Sequence, residues 1–309
     1  MRFFGKIQGT ESDYYIAETV VEGGEEEGED AAEKDADFEA KGTGVNKFTY
    51  FVTPNSLSVW TRLPDISPKD IDASRKIKVL FSGNLNRNIF TNPFFAGQEK
   101  HYLRAQIARI THSTALIPKG VMKLVEDSPR EIEENTPEEG DLVWPTTAEM
   151  ANSEMWVHAN LNILKNCRTA HLDPTEPEGA EDWNEDAEKA KIEAADPYAP
   201  RLKQITQDEK TSGQNAWVVR LMGDALEYGN PKGVGPSVSS GVVVVRSLQW
   251  PGAFNFYYCG QVLSVYMGSG HKYEQKSSYF PVLPPLVIKD PEEFEVKYPP
   301  EPKKEEAVV

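Results

Sequence analysis

Five histidines and two cysteines are the side chains of this chain that could bind a metal ion. His158, Cys167 and His171 lie within a stretch of fourteen residues. A zinc site needs four ligands at regular spacing, yet no fourth ligand and no pair of histidines four residues apart accompanies these three. A structural or exposed role is therefore favoured over zinc binding for all the histidines, His101, His112, His158, His171 and His271.

Gly268-Ser269-Gly270-His271 is the part of the sequence most similar to a hydrolase motif. A nucleophile elbow needs glycine two positions before the serine, and Met267 stands there. We therefore expect a glycine turn at a strand end. A soluble hydrolase that uses Ser269 and His271 remains the alternative from the enzyme class. The glycine-rich run at 229–235 lacks the Gly-Lys-Ser/Thr ending of a phosphate-binding loop.

Acidic residues are concentrated in three insertions, at 21–46, 126–141 and 173–196. The three acidic runs within these insertions, 21–39, 126–141 and 173–196, carry −24 of formal charge, whereas the whole chain carries −16, so the remaining residues carry +8. The protein is thus a mildly basic body with long acidic surface loops. Its strong acidity argues against nonspecific nucleic-acid binding, because neutralisation of phosphates needs a dense cationic face. Loose calcium binding by these runs is a second alternative, although no EF-hand spacing occurs.

Cys167 and Cys259 are too few for a disulfide framework, and two free thiols are favoured over a single bridge. The first residues lack the apolar core of a signal peptide, and no run approaches the ~18 apolar residues of a membrane helix. A soluble intracellular protein is expected.

The elements that carry these side chains are mainly strands. Residues 3–8 and 13–20 predict a hairpin, and 102–111, 216–222, 241–248, 254–259 and 262–267 predict further strands. Ser67-Pro68 predicts a helix start with an apolar face to Phe81, and Thr146 begins a second helix that reaches Leu164. We expect a β-dominated α+β fold of antiparallel sheets with two packed helices. Residues 1–280 form a single body, and 281–309 form a Pro-rich, charged, extended tail.

Exposed aromatic residues and arginines on strands are typical anchors of protein interfaces. Because half of a strand pair faces the core, about two-thirds of the aromatic rings around residue 255 are expected to pack inside, and the rest are left at the surface for a partner. Arg104 and Arg109 are predicted on opposite faces of one strand, each meeting a carboxylate of this chain or of a neighbour. The interface candidates are Tyr102, Arg104, Arg109, Trp250, Phe254, Phe256 and Tyr257.

Four blocks of sequence resemble the radial spoke head proteins of motile cilia, of the type numbered four and six. They are FFGKIQGTESDYYIAE, WTRLPDISPKDIDASRKIKVLFSGNL, GQEKHYLRAQIARI with IPKG, and VVVVRSLQWPGAFNFYYCG through GSGHKY. YLRAQIARI and SLQWPGAF are the most specific of these. Family members usually carry a long segment before the first block, at which this sequence begins.

The resemblance implies a structural part of the spoke head in the axoneme of cilia and flagella, without catalytic residues or cofactors. It implies assembly with a paralogous four/six-type subunit as a homo- or heterodimer, a number-nine-type spoke head protein and a MORN-repeat spoke head protein. It also implies contact with the central pair that regulates dynein-driven motility.

Overall fold

The computed structural model describes residues 1–20, 38–55, 58–126, 128–136, 142, 144–175, 183–211, 213–224, 226–228 and 238–273. The predicted β-dominated α+β fold is confirmed, since strands far outnumber helices in this part of the chain. The helices are α1 (Pro68–Lys76), α2 (Glu99–Thr114), α3 (Thr147–Met150) and α4 (Glu185–Ala195). The strands are β1 (Arg2–Ile7), β2 (Tyr14–Val20), β3 (Phe48–Thr53), β4 (Thr61–Arg62), β5 (Leu116–Pro118), β6 (Met122–Val125), β7 (Ser128–Glu134), β8 (Trp156–His158), β9 (Trp217–Met222), β10 (Glu227–Tyr228), β11 (Val238–Ser239), β12 (Val242–Ser247), β13 (Ala253–Tyr258) and β14 (Gln261–Gly268).

Eight strands form one sheet in the order β4-β3-β2-β1-β14-β13-β12-β9. Neighbouring strands are antiparallel except β1 and β14, which run parallel. Gly5 allows this parallel pairing, because a Cβ atom at that position would lie 2.0 Å from the carbonyl oxygen of Tyr266. The predicted hairpins β1–β2 and β13–β14 therefore join in the middle of the sheet.

Helix α2 corrects the prediction of a strand at 102–111. Leu103, Ile107 and Ile110 recur with helical spacing, and sixteen residues are too many for an ordinary buried strand. The same segment also alternates like a strand, because Arg104 and Gln106 separate apolar residues although both are themselves buried. Arg104 and Arg109 accordingly lie on a helix, not on opposite faces of a strand.

The two predicted helices are shorter than expected. Helix α1 begins as predicted, with the Ser67 hydroxyl accepting a hydrogen bond from the Asp70 amide, but it ends at Lys76. The predicted capping box of Thr146 and Glu149 is present at α3, yet that helix ends at Met150. Strand β8 follows, since Val157 pairs with Ile117 of β5 and the tertiary pairing replaces the helix.

The acidic insertions are only partly loops. Residues 128–134 form β7, which pairs with β6 in a hairpin, and residues 185–195 form the helix α4. Residues 21–37, most of 137–143, 176–182, the glycine-rich run 229–235 and the predicted tail 281–309 lie outside the described residues. Residues 1–273 form one compact unit, and the division into a body at 1–280 and a tail stays a prediction.

The core lies between the eight-stranded sheet and α2. Leu103, Ile107 and Ile110 pack with one face of β1, β2, β3 and β14, in a cluster that includes Tyr50 and Tyr266. The opposite side of α2 presents Ala105 and Ala108 to α1. Helix α2 thus lies between α1 and the sheet, and it buries one face of the sheet. The opposite face of the sheet, called the outer face below, is turned away from this core.

Candidate interaction surface

Alternation along the strands separates the residues of the outer face from those of the core. On β13, Asn255 donates to the backbone oxygen of Thr114 at the end of α2 over 3.0 Å, and Tyr257 is buried. Phe254 and Phe256 therefore project from the other side of the sheet. Both are only partly buried, and their rings stack with centroids 6.3 Å apart.

Neighbouring strands continue this apolar surface. Phe254 pairs with Val265 and Phe256 with Leu263 across the β13–β14 ladder, and Val244 lies opposite Phe256 on β12. Leu263 is 50% exposed, and Met267, further along β14, is 55% exposed. Side chains opposite each other on adjacent strands are in contact, so these residues form a continuous apolar stripe.

The charged side chains of this part of the outer face are arginines. Arg246 lies opposite Phe254, and Arg220 lies opposite Val244 on the edge strand β9; both are exposed. Toward β1, Lys6 pairs with Asp13 at 2.6 Å. The outer face thus combines stacked aromatic rings and aliphatic side chains with solvated guanidinium groups, the composition of a protein interface rather than of a reaction centre.

The other interface candidates lie inside the body or at its margin. Tyr102, Trp250 and Tyr257 are buried in the hydrophobic core, and the Tyr257 hydroxyl donates to the backbone oxygen of Pro145. Their side chains are therefore absent from the surface of this chain. Only Phe254 and Phe256 of the predicted set lie on the outer face, and their interface role stays a prediction.

The two arginines of α2 meet backbone oxygens and aromatic rings. Arg104 is buried, and its Nη2 donates to the backbone oxygen of Val45 over 2.8 Å. Its guanidinium carbon lies 4.7 Å from the centre of the Tyr50 ring. Arg109 donates to the backbone oxygen of Ser74 over 2.7 Å and lies 5.4 Å from the Trp250 ring. Both side chains thus join α2 to its neighbours.

Glu99, which sequence reasoning missed, connects three of the four family-like blocks. Its Oε1 accepts from the Tyr14 hydroxyl at 2.7 Å and from the Ser82 and Gly83 amides at 2.8 and 3.0 Å. Gly83 fits there because it has a φ of +99° and a Cβ atom would lie 2.3 Å from the Ser12 carbonyl oxygen. In the sequence, the one indication of this role is that Glu99 is a lone carboxylate at the start of an apolar segment.

His271, from the fourth block, completes this junction. Its ring packs 5.7 Å from that of Phe81, and its Nε2 lies 2.8 Å from the backbone oxygen of Val79. Burial lowers the pKa of His271, which favours the neutral imidazole. The ring nitrogen that a serine hydrolase would use is therefore engaged by backbone, and Ser269 ends a strand in a glycine turn, as expected.

The histidines and cysteines are held apart by different partners. His158 Nε2 lies 2.8 Å from Asp208 Oδ2, whereas His171 Nε2 lies 2.9 Å from the backbone oxygen of Asp196. Cys167 is buried against α1 and α2, and both cysteines are free thiols. Among the described residues, no three His, Cys, Asp or Glu side chains are grouped to hold a metal ion. The helices of that part are also too short or too polar to cross a membrane.

Comparisons of the sequence with a family model and with individual proteins agree on one family. The family described as "Radial spokehead-like protein" matches residues 1–41 and 31–307. Radial spoke head protein 6 homolog A of Mus musculus is 32% identical, covering 93% of this chain and 46% of the mouse protein. Flagellar radial spoke protein 4 of Chlamydomonas reinhardtii is 32% identical, with coverage of 94% and 61%. Radial spoke head protein 4 homolog A of Homo sapiens is 30% identical, with coverage of 94% and 44%.

The chain spans about half the length of these relatives. The resemblance to the four/six type is confirmed by their names. Radial spoke head proteins are structural rather than enzymatic, which confirms the prediction that the chain is not an enzyme. By the extent of the family match and the identity to these relatives, the chain belongs to the radial spokehead-like protein family.

Proposed function

We propose that this protein is a structural subunit of the radial spoke head in the axoneme of motile cilia or flagella. Family membership supports this function, together with relatives named as spoke head and flagellar radial spoke proteins. Its neighbours are a paralogous four/six-type subunit, a number-nine-type spoke head protein and a MORN-repeat spoke head protein. Through the assembled head it contacts the central pair and influences dynein-driven motility.

The outer face is the proposed surface for assembly with another head subunit. Its stacked Phe254 and Phe256 rings, with Leu263 and Met267 beside them, are the single observation that carries this assignment. Monomeric proteins rarely leave a large continuous apolar patch in water, and aromatic side chains dominate the binding energy of interfaces. The apolar side chains of the stripe would leave water on contact with a partner.

A double substitution on the outer face tests this proposal. Phe254→Ser with Phe256→Ser removes the two aromatic rings, whose core-facing neighbours on β13 remain in place. Each interface aromatic contributes about 1–2 kcal/mol or more, so affinity for other head subunits should fall by roughly 10- to 1,000-fold. The measurement is co-purification from ciliary extracts of cells that express the tagged variant, followed by identification of the bound subunits.

Phe90→Ser provides the matched control, because Phe90 is 86% exposed but lies outside the eight-stranded sheet. We expect this variant to bring down the same companions as the natural sequence. Recovery of all head subunits by the double variant would contradict assembly through the outer face. Companions that include no spoke head protein, even with the natural sequence, would contradict the proposed function itself.

A further inference from the structure

Two arginines from distant parts of the chain meet beside the β6–β7 hairpin. Arg130 lies on β7, and Arg201 follows α4. Arg201 Nε donates to the backbone oxygen of Arg130 over 3.3 Å. The guanidinium carbon of Arg130 lies 4.0 Å from the centre of the Tyr198 ring, and its Nη2 donates to the backbone oxygen of Thr169. Tyr198 and the carbonyl of Thr169 thus hold the Arg130 side chain beside Arg201.

The described acids of β7 are exposed, whereas Arg130 is half-buried. Strand β7 shifts register against β6 between Ser128 and Ile132, and this irregular part of the strand holds Arg130. Glu131, Glu133 and Glu134 are exposed, and Glu133 pairs with Lys123 on β6 at 3.1 Å. The guanidinium group of Arg130 lies instead against the Tyr198 ring.

Among the described residues, each arginine has one enclosed N–H group without an acceptor. These groups are Arg130 Nε and Arg201 Nη1, and the acceptors shown above for both side chains are neutral backbone oxygens. Burial lowers the pKa of Arg201, and the charge of Arg130 lowers it further. Guanidinium groups of proteins carry a positive charge near neutral pH. Buried donors in folded proteins nearly always have an acceptor, so this pair needs an explanation.

Glu39 reaches the loop that contains Thr169, and neutral groups there and at Val45 occupy its carboxylate oxygens. Glu39 Oε1 accepts from the amide and hydroxyl of Thr169, both at 2.8 Å. Its Oε2 accepts from the Val45 amide at 2.7 Å. Glu39 therefore anchors residues 39–45 to the Thr169 loop, and its two oxygens are already used by neutral donors.

We infer that Arg130 and Arg201 form a binding site for an oxoanion, a phosphate or a carboxylate. Two guanidinium groups offer parallel N–H donors that match the oxygens of either group, and both residues are half-buried rather than enclosed. The Tyr198 ring and the Thr169 carbonyl hold Arg130 in place for such binding. The site lies outside the outer sheet face and does not depend on the proposed spoke head assembly.

Thermal unfolding of the full chain tests this site with two probes at equal ionic strength. One probe is inorganic phosphate against chloride, and the other is a hexaglutamate peptide against a hexaglutamine peptide. A ligand of the folded state raises Tm by mass action, and we expect a rise of several degrees at a concentration well above Kd. Arg201→Gln should abolish the rise, and Arg201→Lys should weaken it because lysine lacks the forked donor geometry.

Arg220→Gln is the matched control, since this exposed arginine lies on the outer face and its loss should leave the rise unchanged. A rise with phosphate indicates a free oxoanion, and a rise with hexaglutamate alone indicates the carboxylates of a polypeptide; either result supports the site. The inference is overturned if neither probe raises Tm, or if Arg201→Gln responds as the natural sequence does. A different outcome is also informative: the natural sequence responds to neither probe, and Arg201→Gln is more stable than it in every buffer. That outcome would identify Arg201 as an unpaired buried charge rather than part of a binding site.

Discussion

At the scale of single residues, buried polar groups hold separate segments of this protein together. Glu99 receives hydrogen bonds from Tyr14, Ser82 and Gly83, and Asp208 receives them from His158, Lys203 and Trp217. A buried carboxylate is tolerated when several donors satisfy it, and removal of one partner is costly. Glu99, Tyr14 and Ser82 explain why polar positions occur within the family-like blocks.

Asp208 leads to a prediction about pH. Burial raises the pKa of its carboxyl, but hydrogen bonds and charge from His158, with further hydrogen bonds from Trp217 and Lys203, outweigh burial and lower it to about 2. Since the pKa is lower in the folded than in the unfolded state, the stabilisation is present above pH ~4 and is lost as pH falls toward 2. It amounts to about 2 kcal/mol.

Asp208→Asn should therefore destabilise the protein at pH 6 and lose about half of this disadvantage near pH 3. Urea unfolding of both proteins between those pH values measures the difference in unfolding free energy. Glu131→Gln serves as control, because Glu131 is exposed on β7. A difference for Asp208→Asn that stays constant across the range would show that its charge does not contribute.

At the scale of elements, α2 determines which face of the sheet is buried. Its sheet-facing side carries Leu103, Ile107 and Ile110, and its other side carries Ala105 and Ala108 against α1. The small residues let α1 approach closely, and the large ones fill the space above the sheet. On the outer face, Leu263 and Met267 are largely exposed and Phe254 is partly exposed, and this face is the proposed surface for a partner.

Ile107→Ala tests the position of α2. The side chain is fully buried between helix and sheet, so the substitution should lower the unfolding free energy by about 2–5 kcal/mol through lost burial and a cavity. Val265→Ala on the partly buried outer face should cost clearly less in the isolated protein. Both values come from urea unfolding. Equal costs for the two variants would argue against the assignment of inner and outer faces.

At the scale of the whole molecule, charge is divided between a basic body and acidic segments. The three acidic runs carry −24 and the rest of the chain +8. We propose that acidic segments project toward the central pair, where acidic tubulin-based surfaces make contact brief. Screening limits the repulsion to roughly 8 Å at physiological salt, so it acts only at close approach.

Neutralisation of the three runs by Glu→Gln and Asp→Asn changes tests this idea in beating cilia. Glu39, which anchors the Thr169 loop, and Asp196, which accepts from the Lys165 amide at 2.7 Å, are kept acidic. We expect an altered beat pattern and closer spacing between spoke head and central pair, measured by high-speed imaging and cryo-tomography. A normal waveform with unchanged spacing would exclude the repulsive role.

Deletion within the first acidic insertion should change stability little. Removal of residues 23–37 shortens a connection whose closure entropy varies slowly with length, so Tm should shift by only a few degrees. A deletion that extends to Gly44 would also remove Glu39, whose carboxylate binds Val45 and Thr169, and should cost more. Calorimetry of the two deletions makes the comparison, and equal Tm values would contradict the anchoring role of Glu39.

The amino-acid sequence alone determined the family, the hairpins β1–β2 and β13–β14, the start of α1 and the capping box of α3. These features depend on local chemistry, namely turn glycines, helix caps and strand alternation, which neighbouring residues specify. The four family-like blocks were identified by their resemblance to a known family, although the sequence does not show that Glu99 joins three of them.

Only the tertiary structure decided that residues 99–114 form a helix, because a segment buried on both sides has no polar face to distinguish helical from strand periodicity. It also decided the parallel pairing of β1 with β14, a contact between residues more than 250 positions apart. The cover provided by Met150 of α3 and Trp156 of β8 places Tyr257 in the core, and alternation along β13 leaves Phe256 on the outer face. Local patterns show that two faces exist, but long-range packing selects the buried one.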